Sequence, residues 1–308
     1  MSQAVTLRQL RYLVAVADEL HFGRAAEAAN VSQPSLSAQI QALEEALGTQ
    51  LVERTARRVL LTPAGAEVAA RARDVLGAVR DLADVARAAA RPLSSALRLG
   101  VIPTSGPYLL PRVLPELRAA FPELRLLLRE EQTARLLERL RAGDLDLLLL
   151  ALPAEGPGLV EEPLYEEPFV AALPAGHPLA GRGALGERDL AGEPLLLLED
   201  GHCLREHALD ACGRPARDAE PFAATSLATL REMVAGRIGV TLLPLLSVTG
   251  ASAPGGGIAL VPFDSPRASR RIGLVWRRHA AREADFRALA GFLRARLPEG
   301  VGPVAVPA

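Results

Sequence analysis

Two thiols, Cys203 and Cys212, lie nine positions apart in GHCLREHALDAC (Gly201 to Cys212), and a histidine, His202, directly precedes the first. No other cysteine occurs in the 308 residues. Such a set admits three chemistries. A thiolate is a nucleophile and a redox centre, favoured by nearby positive charge or a helix N-terminus. Cys203 sits where LREHALDAC begins to read as a helix, with Arg205 two residues on and His202 adjacent. Oxidation of such a thiolate by a peroxide gives a sulfenic acid. The second chemistry is zinc ligation by His202, Cys203, His207 and Cys212. Zinc sites usually pair ligands in tight C-x₂₋₄-C clusters, and adjacent His202 and Cys203 suit one tetrahedral ion poorly. No metal and no cofactor is therefore expected. In the third reading Cys212, beside Ala208 and Leu209, is a small core residue, and Cys203 acts alone. His207 reads as a solvated residue on the helix surface.

The rest of the chain sets the context of that segment. Its length predicts two or three domains. Apolar runs such as LDLLLLALP (Leu145 to Pro153) fall far below membrane-spanning length and read as buried strands. The first twenty residues lack the core and cleavage site of a signal peptide, so a cytoplasmic protein is expected. There cysteines serve catalysis, metals or redox sensing more often than structure. All basic residues are arginine, a feature ascribed to genome composition rather than to function. The formal net charge of -1 gives no compositional sign of nucleic-acid binding. A local motif must carry any such claim.

One does. Residues 6–20 have helical period, Ala25, Ala26 and Ala29 mark a short helix, and Asn30-Val31 makes a turn. Ser32 then N-caps a helix whose Leu36, Ile40, Leu43 and Leu47 share a face as far as Gly48. Two helices about a tight turn form a helix-turn-helix whose second helix enters the major groove. Gln33, Pro34, Ser35, Ser37 and Gln41 lie at its start or off its apolar stripe, as candidate base or phosphate contacts. Two short strands about Thr55 to Arg58 suggest a wing, in which Arg54, Arg57 and Arg58 could neutralise phosphates. Thr62 then caps a helix to about Ala90. Val68, Val75, Val79, Leu82 and Val85 give it a coiled-coil seam, as in a dimerising linker.

From Ala96 strands alternate with helices. The pattern predicts two α/β halves with a mostly parallel sheet, joined by two crossings around a hinged cleft. Ligands in such sheets bind beyond strand C-termini. There stand Thr104, Ser105, Thr133, Gly201 to Cys203 and Ser226.

FGRAAEAANVSQPSLSAQIQALEEALGTQLVERTARRVLLTPAG resembles the winged helix-turn-helix of LysR-type transcriptional regulators. EDGHCLREHALDAC, GVIPTSGPYLLP, EEQTARLLERL and ATSLATLREMVAGRIGVTLLP resemble their peroxide-sensing OxyR subfamily. The resemblance implies a winged helix-turn-helix over 1–62, a dimerisation helix over 63–92 and a periplasmic-binding-protein-like α/β effector domain over 93–308. Within the last, subdomain I spans about 93–165 and 268–308, and subdomain II about 166–267. It also implies a homodimer or homotetramer on double-stranded promoter DNA, working with RNA polymerase. Hydrogen peroxide is the implied signal and thioredoxin- or glutaredoxin-type proteins the implied reductants; no membrane is involved. Thr104 and Thr133 are then the peroxide-binding hydroxyls, His202 stands beside the thiol, Arg270 supports the thiolate, and Cys212 is the resolving thiol. If Leu204 to Cys212 is helical, the two cysteines lie roughly 13 Å apart on opposite faces. A disulfide needs Cα atoms within about 7 Å. Oxidation would therefore unwind the helix. Two departures stand out: GRPARDAEP after Cys212 is short and differently composed, and the tail after Leu297 has no counterpart. Two other functions stay open. One is a LysR-type regulator that binds an organic anion near Ser105, Thr133 and Ser226, with incidental cysteines. The other is a thiol peroxidase.

Overall fold

The computed structural model describes residues 5–54, 59–88, 93–154, 156–215, 223–250 and 255–303. The chain divides into two compact units, residues 1–86 with 141–144, and the remainder.

In the first unit, α1 (Leu7–Glu19) starts from a capping box, in which Thr6 and Gln9 satisfy each other's backbone N–H groups. α2 (Phe22–Ala28) and α3 (Gln33–Leu47) follow, separated by a turn with Asn30 at φ +53. Ser32 precedes α3 as expected, but its hydroxyl makes no capping bond; Pro34 in the first turn spares one N–H. Gly48 ends α3 in the left-handed region at φ +65. Leu13, Val16, Ala25, Leu36, Ile40 and Leu43 form the core these helices share. The wing strands β1 (Val52–Arg54) and β2 (Val59–Leu61) pair antiparallel. Glu44 on α3 holds the approach to β1, its Oε1 accepting from Leu51 N at 2.8 Å and Val52 N at 3.0 Å. The helix expected from Thr62 is α4 (Pro63–Ala88), and Thr62 Oγ1 caps it by accepting from Gly65 N at 2.9 Å. Val75 and Val79 of its expected seam are exposed. The side chains of Leu82 and Val85 lie outside the described residues.

The second unit holds two apolar cores. The first surrounds β3 (Ala96–Val101), β4 (Arg125–Glu130) and β5 (Leu147–Leu152), which are parallel to one another. It is covered by α5 (Gly106–Ala120), α6 (Thr133–Arg141) and α9 (Glu283–Arg294). The second core holds β7 (Leu197–Leu198), α7 (Cys203–Ala211), β8 (Ala223–Ala224), α8 (Leu227–Ala235), β9 (Thr241–Pro244) and β10 (Ile258–Pro262). Two long strands serve both cores. β6 (Leu159–Pro174) gives Leu164 and Tyr165 to the first and Phe169 to Leu173 to the second. β11 (Ser269–Arg277) runs antiparallel beside it and buries Ile272 to Trp276 in the first core.

These strands correct the expected mostly parallel sheet. The main sheet runs β10-β6-β11-β5-β3-β4, and every pairing of β6 and of β11 is antiparallel. The βαβ pattern holds only where helices connect the strands. The first half of the crossing strand is hidden from a hydrophobicity reading by Glu161, Glu162 and Glu166. The unplaced tail contributes β12 (Gly302–Pro303), which pairs with β6. Residues 216–222 of the short segment after Cys212 lie outside the described residues. Among the described residues, no helix is long and apolar enough to cross a membrane.

Gly65 allows α4 to start hard against the chain before β1. A Cβ there would stand 1.9 Å from the Leu51 carbonyl oxygen, a backbone atom that cannot swing aside. Gly65→Ala is expected to destabilise the first unit by about 1–3 kcal/mol. Trp276, the single tryptophan, belongs to the second unit. In a thermal scan, helical circular dichroism should therefore fall earlier than in wild type while the tryptophan transition stays in place. Coincident, unshifted transitions would contradict this packing.

Candidate functional site

β11 and β6 are in register such that Arg270 and Glu167 face each other as Cα partners. Both side chains are almost completely buried. Arg270 donates from Nε at 2.9 Å and Nη2 at 2.8 Å to Glu167 Oε2. It also donates from Nη1 to Thr104 Oγ1 at 2.8 Å and from Nη2 to the Thr104 carbonyl at 2.7 Å. Glu167 Oε1 accepts from Leu246 N at 2.9 Å, in the 3-10 turn Leu245–Val248. Charge and hydrogen bonds are thus matched at a point where both cores meet. A buried ion pair tolerates removal from water only on those terms.

α7 brings the thiol to this cation. Gly201, at φ +94, turns the chain into the helix, and a Cβ there would lie 2.8 Å from Gln132 Oε1. Gln132 Nε2 donates to Glu199 Oε1 at 3.2 Å and so ties the start of α6 to the turn before α7. His202 is the N-cap residue, buried, with Nε2 3.8 Å from Glu199 Oε1. Burial lowers its pKa, and Glu199 opposes that shift. Cys203 is the first residue of α7 and packs against the first core. Burial raises its pKa; the Arg270 charge and a hydrogen bond from Thr133 pull it back. The expected net activation is thus outweighed by desolvation, and the thiol form prevails at neutral pH. Thr133 Oγ1 is buried and has no hydrogen-bond partner besides the Cys203 sulfur.

Cys212 is the C-cap of α7 and lies in the second core beside Ala208, Leu209 and Ala211. Both thiols are free. Burial pushes the Cys212 pKa up to about 11. The helix therefore holds one thiol at each end, packed against different cores.

Thr133 and Arg270 thus act on Cys203, Thr104 is tied to Arg270, and His202 is the N-cap neighbour of the thiol. Arg205 is not among these groups. Its Nε pairs with Asp200 at 2.9 Å and its Nη1 donates to the Leu198 carbonyl at 3.2 Å, so it braces the preceding turn instead of the thiolate. His207 is also corrected: it is half-buried, its Nδ1 fully so, because this face of α7 turns inward. Ser105 Oγ shares a hydrogen bond with Tyr165 OH at 3.2 Å, and Ser226 Oγ caps α8 by accepting from Thr229 N at 3.1 Å. Of the three hydroxyls expected for an organic anion, those of Ser105 and Ser226 thus have partners within the protein, whereas that of Thr133 has none besides the Cys203 sulfur. Among the described residues, no three His, Cys, Asp or Glu side chains lie together so as to hold a metal ion. Glu167 and Tyr165 escaped the sequence reading. Their signal was alternation, since Tyr165, Glu167, Phe169 and Ala171 share the inward face of one strand.

On the first unit, Gln33, Pro34 and Gln41 are exposed and Ser35 and Ser37 half-buried along α3, clear of its buried Leu36, Ile40 and Leu43. Arg54 closes β1. Arg57 and Arg58 lie outside the described residues.

Removing one partner of the buried pair leaves the other charge stranded. Glu167→Ala should cost about 3–5 kcal/mol in urea unfolding of the reduced protein. The double variant Arg270→Met/Glu167→Leu should recover most of that. It should still alkylate Cys203 more slowly at pH 7 than wild type, with the pH midpoint moved upward, because thiolate forms only above a pKa that has lost its cationic support. An unmoved midpoint would separate Arg270 from the thiol.

Comparison with known proteins agrees with this geometry. Residues 7–66 match the model of the bacterial regulatory helix-turn-helix protein, lysR family, and residues 90–298 that of the LysR substrate binding domain. The chain is 45% identical over 294 residues to the DNA-binding transcriptional dual regulator OxyR of Escherichia coli K12, covering 95% of this chain and 96% of that protein. It is 49% identical over 292 residues to a probable hydrogen peroxide-inducible genes activator of Streptomyces viridosporus, covering 94% and 93%. A full-length OxyR variant from Pseudomonas aeruginosa superposes with a TM-score of 0.77 at 37% identity, covering 95% of each chain. The chain belongs to the LysR family of bacterial helix-turn-helix regulators and, within it, to the OxyR group.

Proposed function

We propose that this protein is a hydrogen-peroxide-sensing transcription regulator in which Cys203 is the peroxide-reacting thiol and Cys212 resolves it. One observation carries the reading: α7 holds its two free thiols at opposite ends, one beside a buried cation and two threonines, the other inside a separate core. Cys203 thiolate attacks one peroxide oxygen, the O–O bond breaks, and the sulfur becomes a sulfenic acid. Thr133 and Thr104 are hydroxyls, able to donate and accept, and they flank the reacting oxygens. Arg270 stabilises the negative charge that moves from sulfur to the leaving oxygen. Cys212 then displaces hydroxide from the sulfenic acid and forms the disulfide.

The bond cannot close on this fold. Nine helical steps span about 13 Å, whereas a disulfide needs Cα atoms within about 7 Å. α7 must unwind and Cys212 must leave its core, so oxidation selects a second packing of the effector domain. We infer that this change reaches promoter DNA through the pairing of copies along α4, in a homodimer or homotetramer. Gln33, Ser35, Ser37 and Gln41 then meet base edges and phosphates, and the wing arginines meet phosphates. RNA polymerase is the downstream partner, and a thioredoxin- or glutaredoxin-type dithiol resets the switch. One turnover per reset, coupled to a DNA-binding unit, makes the chain a stoichiometric sensor rather than a peroxidase.

The test is intact mass after thiol alkylation, before and after one equivalent of hydrogen peroxide, with Cys203→Ser and Cys212→Ser alongside. Wild type should lose both alkylation sites within seconds, and either substitution should block disulfide formation. Retention of both thiols in wild type at that dose would sink the peroxide reading.

A further inference from the structure

α7 carries a second imidazole that this scheme leaves unused. His207 lies four residues after Cys203, and that spacing puts both side chains on one helix face with Cβ atoms about 5–6 Å apart. Its surroundings show where this face points. The His207 ring tilts against Phe169, with centroids 6.4 Å apart, and Phe169 stands two residues along β6 from Glu167. The Arg270 charge acts on His207 as it does on Cys203. His207 Nδ1 is buried and has no hydrogen-bond partner. A buried polar atom left unpaired is destabilising, and such atoms in native folds call for an explanation, of which a role in chemistry is one.

We propose that His207 is a peroxide-contacting residue whose Nδ1 forms a hydrogen bond to the leaving oxygen of the peroxide attacked by Cys203. The assignment rests on the peroxide reading above and adds a second imidazole, besides His202, to the set of hydroxyls and a guanidinium. In the step, an S–O bond forms and the O–O bond breaks. The electron pair stays on the farther oxygen, which departs as hydroxide and becomes water with the proton that Cys203 gave up. Sulfur is oxidised and peroxide reduced, and His207 ends the step with the protons it began with. Burial and the Arg270 charge lower its pKa to about 4, so the imidazole is neutral and orients the leaving oxygen without adding charge.

The experiment uses the full chain carrying Cys212→Ser, so that oxidation stops at the sulfenic acid. Its rate of formation is read by a dimedone-type trap and intact mass. The rate of Cys203 alkylation by iodoacetamide, which needs the thiolate but no peroxide contact, is read in parallel. His207→Phe should slow the peroxide reaction about tenfold, the worth of one hydrogen bond, and leave alkylation within about twofold. His207→Asn, whose amide reaches the place of Nδ1, should restore most of the peroxide rate. Should His207→Phe fail to fold, as judged by Trp276 fluorescence, His207→Leu replaces it under the same criteria. An unchanged peroxide rate overturns the assignment. So does an equal fall in both rates, which would mean that His207 acts on the thiol or on packing. So does an Asn variant as slow as Phe. A chain with His207 intact whose Cys203 takes no oxygen from peroxide overturns the peroxide reading itself.

Discussion

The structure turns on one buried ion pair. Arg270 and Glu167 face each other across β11 and β6, the two strands that serve both cores of the second unit. Burying two charges costs several kcal/mol per ion before their attraction is counted, and apolar side chains of equal volume often stabilise a fold as well. The pair is therefore poorly explained as a device for stability. Its geometry explains it better. Glu167 takes two of the guanidinium's donors and Thr104 takes two more, which fixes the orientation of the cation. The backbone N–H of Leu246 fixes the carboxylate in turn. What results is a positive charge that cannot drift toward water or toward another partner, set beside the sulfur of Cys203.

The same region holds α7 in a state it must be able to leave. Leu204 and Leu209 are buried together with Cys212, and fully exposing two leucines costs roughly 3–6 kcal/mol. That is large enough to keep the reduced helix intact and small enough for covalent chemistry to overcome. The burial that anchors the helix also raises the Cys212 pKa, so the resolving thiol is poorly nucleophilic while it stays in place. Premature disulfide formation is opposed twice, by distance and by protonation. Both barriers fall together when the segment unwinds, because exposure to water removes the desolvation that raises the thiol pKa at the moment that the chain becomes free to bring it closer.

Much of this was legible in the sequence, for identifiable reasons. The helix-turn-helix could be read because its caps, its turn and its apolar face all lie within forty residues and agree with one another. The thiol pair could be read because cysteine is rare in the chain and because helical spacing converts directly into distance. The crossing strands were harder. Four glutamates interrupt β6, and its direction relative to β11 depends on pairings about a hundred residues apart, which no local pattern encodes. Arg205 misled because proximity in sequence is not proximity in space. At the third position of a helix it turned to Asp200 and Leu198, while Arg270, 67 residues beyond Cys203 in the sequence, supplied the charge. His207 misled for the opposite reason. A polar residue in a short helix reads as exposed until the face it shares with Cys203 is known to point inward.

The raised pKa of Cys203 looks at first like a poor choice for a sensor, since only the thiolate reacts. The two charges at stake are different, however. Forming the thiolate places a full negative charge on buried sulfur, and desolvation opposes it at a cost of 1.36 kcal/mol for each pKa unit. The peroxide transition state moves that charge outward, toward an oxygen that becomes hydroxide. In the proposed scheme the fixed cation and the threonine hydroxyls face that oxygen and stabilise the second distribution more than the first, and only such differential stabilisation speeds a reaction. An electrophile whose leaving group develops its charge away from these groups gains less from them. A thiol that is suppressed in the ground state and rescued only along the peroxide path is therefore slow toward most partners and fast toward one. The burial that looks like a defect at Cys203 is a physical basis for selectivity.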